Sequence, residues 1–188
     1  ASQLGGVVRG TTGADAGATM ALNGTQIQSD LNYRANRGGL VFEARVALDT
    51  ITNACLFLGL TDQIAALEMP FTLGAGDVLT SNATDAVGVL FDTGADTDNW
   101  WLVGVAADVD ATKQNTAVAP VAATFETWRI EVSATGVATF YRNGSAIGST
   151  MSAAVTPSVL LTQVIAAFAR GAASRNIDTD AVFVRSNR

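Results

Sequence analysis

The sequence predicts an all-β domain, a sandwich or a barrel, on three observations. Apolar and polar residues alternate with a period of two in several runs, turn-forming residues punctuate the chain roughly every ten positions, and little of it carries a helical period. Its 188 residues are enough for one domain with a sizeable core.

Residues 1–24 are rich in Gly, Ala and Thr without sustained period and read as an extended arm. The arm lies either on a partner or on the domain's own sheet, and the domain proper is expected over residues 25–188. From Gly39 the pattern becomes regular. Leu40, Phe42, Ala44, Val46 and Leu48 alternate with Val41, Glu43, Arg45, Ala47 and Asp49, marking a half-buried strand. Residues 54–61 are apolar on both faces, which predicts a central strand. Residues 62–70 are expected to form one or two helical turns ending at Pro70. Strands follow at 86–92 and 100–106, joined by a turn. Over 124–134, Trp128, Ile130 and Val132 point inward against Arg129, Glu131 and Ser133. Asn143-Gly144 is the dipeptide of a tight hairpin, since both positions take positive φ. Residues 158–169 and 176–186 close the domain as strands.

Five pieces in this order carry a resemblance. They are Phe42-Glu43-Ala44-Arg45-Val46, Gly59-Leu60, Trp128 to Val132, Phe140-Tyr141-Arg142-Asn143-Gly144, and Ile177 to Val184. Together, over about residues 39–186, they resemble the concanavalin A-like lectin/glucanase superfamily, which includes laminin G-like domains. The resemblance implies a jelly-roll of two packed antiparallel sheets with the arm outside it. Fold alone does not fix function.

The chain has no histidine, which excludes Ser-His-Asp triads, Cys-His dyads and ordinary zinc sites. Cys55, the single cysteine, sits in an apolar run and reads as a small buried hydrophobe. A net charge of -6 argues against nucleic acid as a partner. No apolar run approaches the roughly 18 residues needed to span a bilayer, so no membrane partner is expected.

Paired carboxylates remain the main catalytic possibility. The resemblance implies, for its laminarinase-like hydrolases, an E-x-D-x-x-E run on one strand, and no such run exists here. Glu126 and Glu131 are an odd number of positions apart and face opposite ways on a regular strand. Glu43 stands alone on its strand. The chain is therefore expected not to be an enzyme and to need no cofactor, apart from a calcium candidate. Asp92, Asp96 and Asp98 in one loop offer hard oxygen ligands for Ca²⁺, though aspartates are also ordinary turn formers. Asp108 and Asp110 form a second such pair. Trp100, beside Asn99, is the candidate carbohydrate platform, because of two adjacent tryptophans on a strand at most one is exposed.

Charged residues make up only 15% of the chain, against roughly 25% in typical soluble domains. Low charge, the arm and the missing catalytic groups predict a structural protein of a bacteriophage or similar particle. Such a protein decorates a capsid or accompanies a fibre at the virion surface, after assembly in the host cytoplasm. Its expected partners are a capsid or other virion protein and further copies of itself. The alternative is a carbohydrate-binding module or lectin that recognises glycans, with or without Ca²⁺.

Overall fold

A computed structural model describes residues 6–16, 19–64 and 67–186. Strand β1 (Val8–Thr11) and a single turn of helix, α1 (Met20–Asn23), lead into β2 (Gly24–Gln28). Next come β3 (Leu40–Leu48), β4 (Ala54–Thr61), β5 (Phe71–Gly74), β6 (Val78–Ser81) and β7 (Ala86–Asp92). Then follow β8 (Trp100–Ala106), β9 (Val109–Asp110), β10 (Gln114–Asn115) and β11 (Glu126–Val132). The chain closes with β12 (Ala138–Arg142), β13 (Ser145–Met151), β14 (Thr162–Ala169) and β15 (Asn176–Ser186).

Two antiparallel sheets stack face to face. One has six strands in the order β1-β15-β3-β11-β12-β13; the other has seven, β10-β8-β7-β4-β14-β2, with β9 also pairing β8. This is the jelly-roll sandwich that the alternation and the resemblance predicted. Phe42, Ala44, Val46, Trp128, Ile130 and Phe140 of the first sheet meet Leu56, Leu58, Val89, Phe91, Trp100 and Leu102 of the second. At the centre, Trp100 packs edge-on to Trp128 with ring centroids 5.2 Å apart, and on its other side tilts against Phe91 at 5.7 Å.

The arm resolves onto the chain's own sheets. Val8–Thr11 pair antiparallel with Asn176–Thr179 of β15, and Arg9 donates twice to the Asp178 carboxylate at 2.6 and 2.7 Å. Asn23, fully buried, donates to the Ala169 carbonyl at 3.2 Å. From there β2 pairs with β14, so the described arm crosses one open edge of the sandwich from sheet to sheet. Residues 1–5 lie outside the described residues.

Strand β4 lies between β7 and β14 and is buried along its whole length, as its composition predicted. The reason is a second apolar layer on the far side of the seven-stranded sheet. There Phe57, Leu90, Trp101, Val103 and Phe168 are covered by Met69, Phe71 and Leu73 of the segment leading through the β5–β6 hairpin, and by Met20 of α1. Over residues 62–70 the described positions are not helical. Met69, and Phe71 at the start of β5, go into this outer layer, and that burial outweighs the local helical tendency.

Two backbone features fix register. Asn143 and Gly144 take φ of 50° and 82°, the paired positive values of a type I′ turn between β12 and β13. In β15, Thr179 pairs with Val46 while Ala181 pairs with Arg45, leaving Asp180 as an extra residue. This bulge reverses the alternation. Ile177 joins the core before it and Val182 and Val184 pack on the core after it, while Phe183 and Arg185 turn outward.

Candidate functional site

The residues expected to bind metal do not converge. Asp92 is completely buried at the end of β7. Its carboxylate accepts from the backbone N–H of Leu73 at 2.8 Å and of Gly94 at 2.9 Å, and from Arg170 Nη2 at 2.5 Å and Nε. Its lone pairs are spent on tying β5 and the end of β14 to β7. Asp96 and Asp98 are exposed in a loop held by Asp77, which accepts from the backbone N–H of Asp96 and Thr97 at 2.9 and 3.2 Å. No group of three or more acidic, histidine or cysteine side chains able to hold a metal occurs among the described residues.

The carbohydrate platform is likewise corrected. Trp100 is 2% exposed in the core between the sheets. Its neighbour Trp101 points the opposite way, as strand geometry requires, yet it too is only 5% exposed because it enters the outer apolar layer. Asn99 donates to Asn115 Oδ1 at 3.0 Å across the strand ends and is not near an exposed ring. Cys55 belongs to the same outer layer, where burial, and next the Asp92 charge, push its thiol well above the ordinary value.

What remains open is the outer face of the six-stranded sheet. Its residues are the polar partners in each alternating strand. The register places four of them in one row across four strands: Phe183 opposite Glu43, Glu43 opposite Arg129, and Arg129 opposite Tyr141. At about 4.8 Å per strand the row is about 14 Å long. Phe183 at one end is 53% exposed. Tyr141 at the other lies under the Arg129 guanidinium, 5.7 Å from ring centroid to Cζ. The next row adds Arg185, Val41, Glu131 and Thr139.

Within this face Arg129 forms an ion pair with Glu131, and Tyr141 Oη donates to the same carboxylate at 3.5 Å. Arg45 pairs with Asp180 and stacks on Phe125, 4.3 Å from the ring centroid. Glu43 is half-buried and has no hydrogen-bond partner among the described residues. It lines a depression of about 610 Å³ with Thr127, Arg129, Glu131, Tyr141 and Asn143. Inward-facing Glu126, by contrast, is closed off by Arg142 at 2.8 Å. The opposite orientation of Glu126 and Glu131 was readable from the alternation. The proximity of Glu43 and Glu131 was not, because it depends on how β3 pairs with β11. Glu131 stands opposite Val41, one diagonal step from Glu43.

Such a face can stack sugar rings on its two aromatic ends and hydrogen-bond hydroxyls with the carboxylates and guanidinium between them. Two carboxylates one diagonal apart can also take part in proton transfer.

No protein-family model and no curated protein matches the chain. Solved structures do match its fold. A β-1,3-1,4-glucanase (lichenase) derived from a mouse hindgut metagenome superposes with a TM-score of 0.64 at 9% identity, over 94% of this chain and 78% of that one. The carbohydrate recognition domain of Emp47p gives 0.61 at 7% identity, over 88% and 79%. The Bacillus licheniformis β-glucanase gives 0.59 at 12% identity, over 87% and 71%. At these identities the likeness establishes the concanavalin A-like jelly-roll fold and nothing finer. It also corrects the expectation that the chain is not an enzyme. The fold is shared by glucanases, alginate lyase AlyC3 and a recognition domain, so the fold does not mark a non-catalytic chain.

Proposed function

We propose that this chain is a carbohydrate-recognising domain whose binding surface is the outer face of the six-stranded sheet. The observation that carries the reading is the cross-strand row Phe183–Glu43–Arg129–Tyr141, with exposed or half-exposed aromatics at its ends and polar groups between. A sheet face holds such side chains on rigid backbone, so little ordering is required when a flat chain of sugar rings docks. The presence of a carbohydrate recognition domain among the fold's other bearers supports the same reading.

The test is a glycan array followed by calorimetry on the strongest hit. Tyr141→Ala and Phe183→Ala each weaken binding by about tenfold, the effect of losing roughly 1.4 kcal/mol of ring contact, and leave the unfolding midpoint unchanged. Retention of full affinity in the double variant removes this face as the site.

A second reading is favoured by Glu43, a half-buried carboxylate without a partner among the described residues, standing diagonal to Glu131. Diagonal positions on adjacent strands lie about 7–8 Å apart, so two glutamates there can flank one glycosidic bond, the arrangement that paired-carboxylate glycosidases use. Release of reducing ends from the bound glycan, abolished by Glu43→Gln and by Glu131→Gln, distinguishes turnover from recognition alone. The virion-surface role rests on low charge content, the arm and the missing catalytic groups, and the described part of that arm lies on β15 and β14.

A further inference from the structure

Nine arginines fall among the described residues. Five of them bond a carboxylate: Arg9, Arg45, Arg129, Arg142 and Arg170. Arg175 donates to the carbonyls of Thr52, Ala173 and Ser174. The three that remain, Arg34, Arg37 and Arg185, make no ion pair among the described residues, and all three line one groove of about 830 Å³ with Asn32 and Tyr33.

Chance placement is a poor account of this. The chain carries six more acidic than basic residues, so over the chain as a whole carboxylates outnumber cationic groups. Convergence of three like charges costs repulsion unless an anion offsets it. The Arg34 Nε atom is buried and has no hydrogen-bond partner among the described residues, a donor already removed from water with nothing there to donate to. The backbone beneath is fixed: Tyr33 and Leu161 exchange hydrogen bonds of 3.0 and 2.8 Å, Asn36 N–H reaches the Pro157 carbonyl at 2.9 Å, and Gly39 N–H reaches Ala35 at 2.8 Å.

The groove also continues the sheet face. Arg185 lines both it and the depression that includes Val41, Arg129 and Glu131. The latter two border Glu43 and Tyr141 in turn. A glycan lying along the aromatic row therefore reaches the arginines without leaving the surface.

We infer that this groove selects an acidic glycan, by holding a sugar-borne carboxylate or sulfate between Arg34, Arg37 and Arg185 with Tyr33 beneath the ring. Guanidiniums suit either group, since both present paired oxygens to a planar fork of donors. This rests on the glycan-binding reading above and adds the class of glycan.

The test titrates the full chain with polymannuronate oligosaccharides, with chondroitin sulfate oligosaccharides and with neutral mixed-linkage β-glucan oligosaccharides. Calorimetry is run at low and high salt. Acidic ligands are expected to bind about tenfold or more tightly than neutral ones at low salt, with the advantage shrinking as salt rises. The uronate and sulfate arms identify which anion is preferred. In the Arg34→Gln, Arg37→Gln, Arg185→Gln triple variant acidic ligands bind no more tightly than neutral ones, while the unfolding midpoint holds. Lys113→Gln, which removes a positive charge elsewhere, leaves the advantage intact.

Equal binding of acidic and neutral glycans, or an acidic advantage untouched in the triple variant, overturns the inference while leaving the sheet face standing. Acidic binding that survives Tyr141→Ala with Phe183→Ala but vanishes in the triple variant supports the groove and overturns the sheet face. Binding of a single-stranded oligonucleotide as tight as that of the best acidic glycan overturns the assignment to glycans.

Discussion

The two sheets of this sandwich share an inner core and differ in what lies behind them. Behind the seven-stranded sheet, Phe57, Leu90, Trp101 and Phe168 are roofed by the β5–β6 segment and by Met20. Behind the six-stranded sheet no corresponding layer lies among the described residues, and Glu43, Arg129, Tyr141 and Phe183 face outward. One sheet spends both faces on stability, whereas the other spends one on stability and keeps one for contact. Antiparallel sheets permit this division because their backbone hydrogen bonds are complete whether or not a face is covered.

The clearest way to break the contrast is to lift the roof. Asp92 and Arg170 hold it down through a pair whose carboxylate is wholly buried, and removing one partner leaves an uncompensated charge. Asp92→Ala is expected to cost about 3–5 kcal/mol, read as a lowered midpoint in chemical denaturation together with new binding of an apolar dye. Glycan affinity per native molecule stays the same, because the other sheet's outer face is untouched.

A smaller disturbance comes from inside the roof. An added Cβ on Gly88 would sit 2.3 Å from Phe57 Cε2, so Gly88→Ala pushes the ring off its sheet. The expected loss is about 1–3 kcal/mol, the usual cost of overpacking, measured in the same denaturation experiment. Equivalent changes on the open sheet sharpen the contrast from the other side. Glu43→Gln is expected to move stability by less than about 0.5 kcal/mol while altering ligand affinity or turnover.

The smallest effect concerns the edge strand. Arg9 holds the Asp178 carboxyl below its ordinary value, first by direct hydrogen bonding and also by its charge. A depressed carboxylate contributes stability that is present above its unfolded value, about pH 3.9, and is lost as pH falls through the lower folded value. Acidification below about pH 4 should therefore release β1 from β15 before the sandwich unfolds. Hydrogen exchange at Val8 to Thr11 reports it, and Asp178→Asn should show that exchange already at neutral pH. The charge partner is solvent-exposed, so the global midpoint should barely move.

Much of the sandwich was legible because the inward residues of β3 and β11 alternate with outward ones, most of them polar, and the turn at Asn143-Gly144 declares itself. β4 declared its central place by having no polar face at all. The β5–β6 roof was not legible: Phe71-Thr72-Leu73-Gly74 is short, and nothing local says that its apolar side covers a sheet rather than extends one. The site was hidden for a related reason. Trp100 and Asp92 have side chains that suggest chemistry, but the residues near them in space bury the one and neutralise the other. Glu43, Arg129, Tyr141 and Phe183 are each unremarkable in sequence and become a group only through strand register.

The extra residue at Asp180 gives that register an unexpected consequence. Because β15 changes sides at one position, the half of the strand before it and the half after it can be edited as separate modules. Moving the insertion by a residue would trade which side chains meet solvent while the hydrogen-bonded ladder stays in place. A scaffold with such a joint can acquire new surface chemistry at its C-terminal strand without a new core.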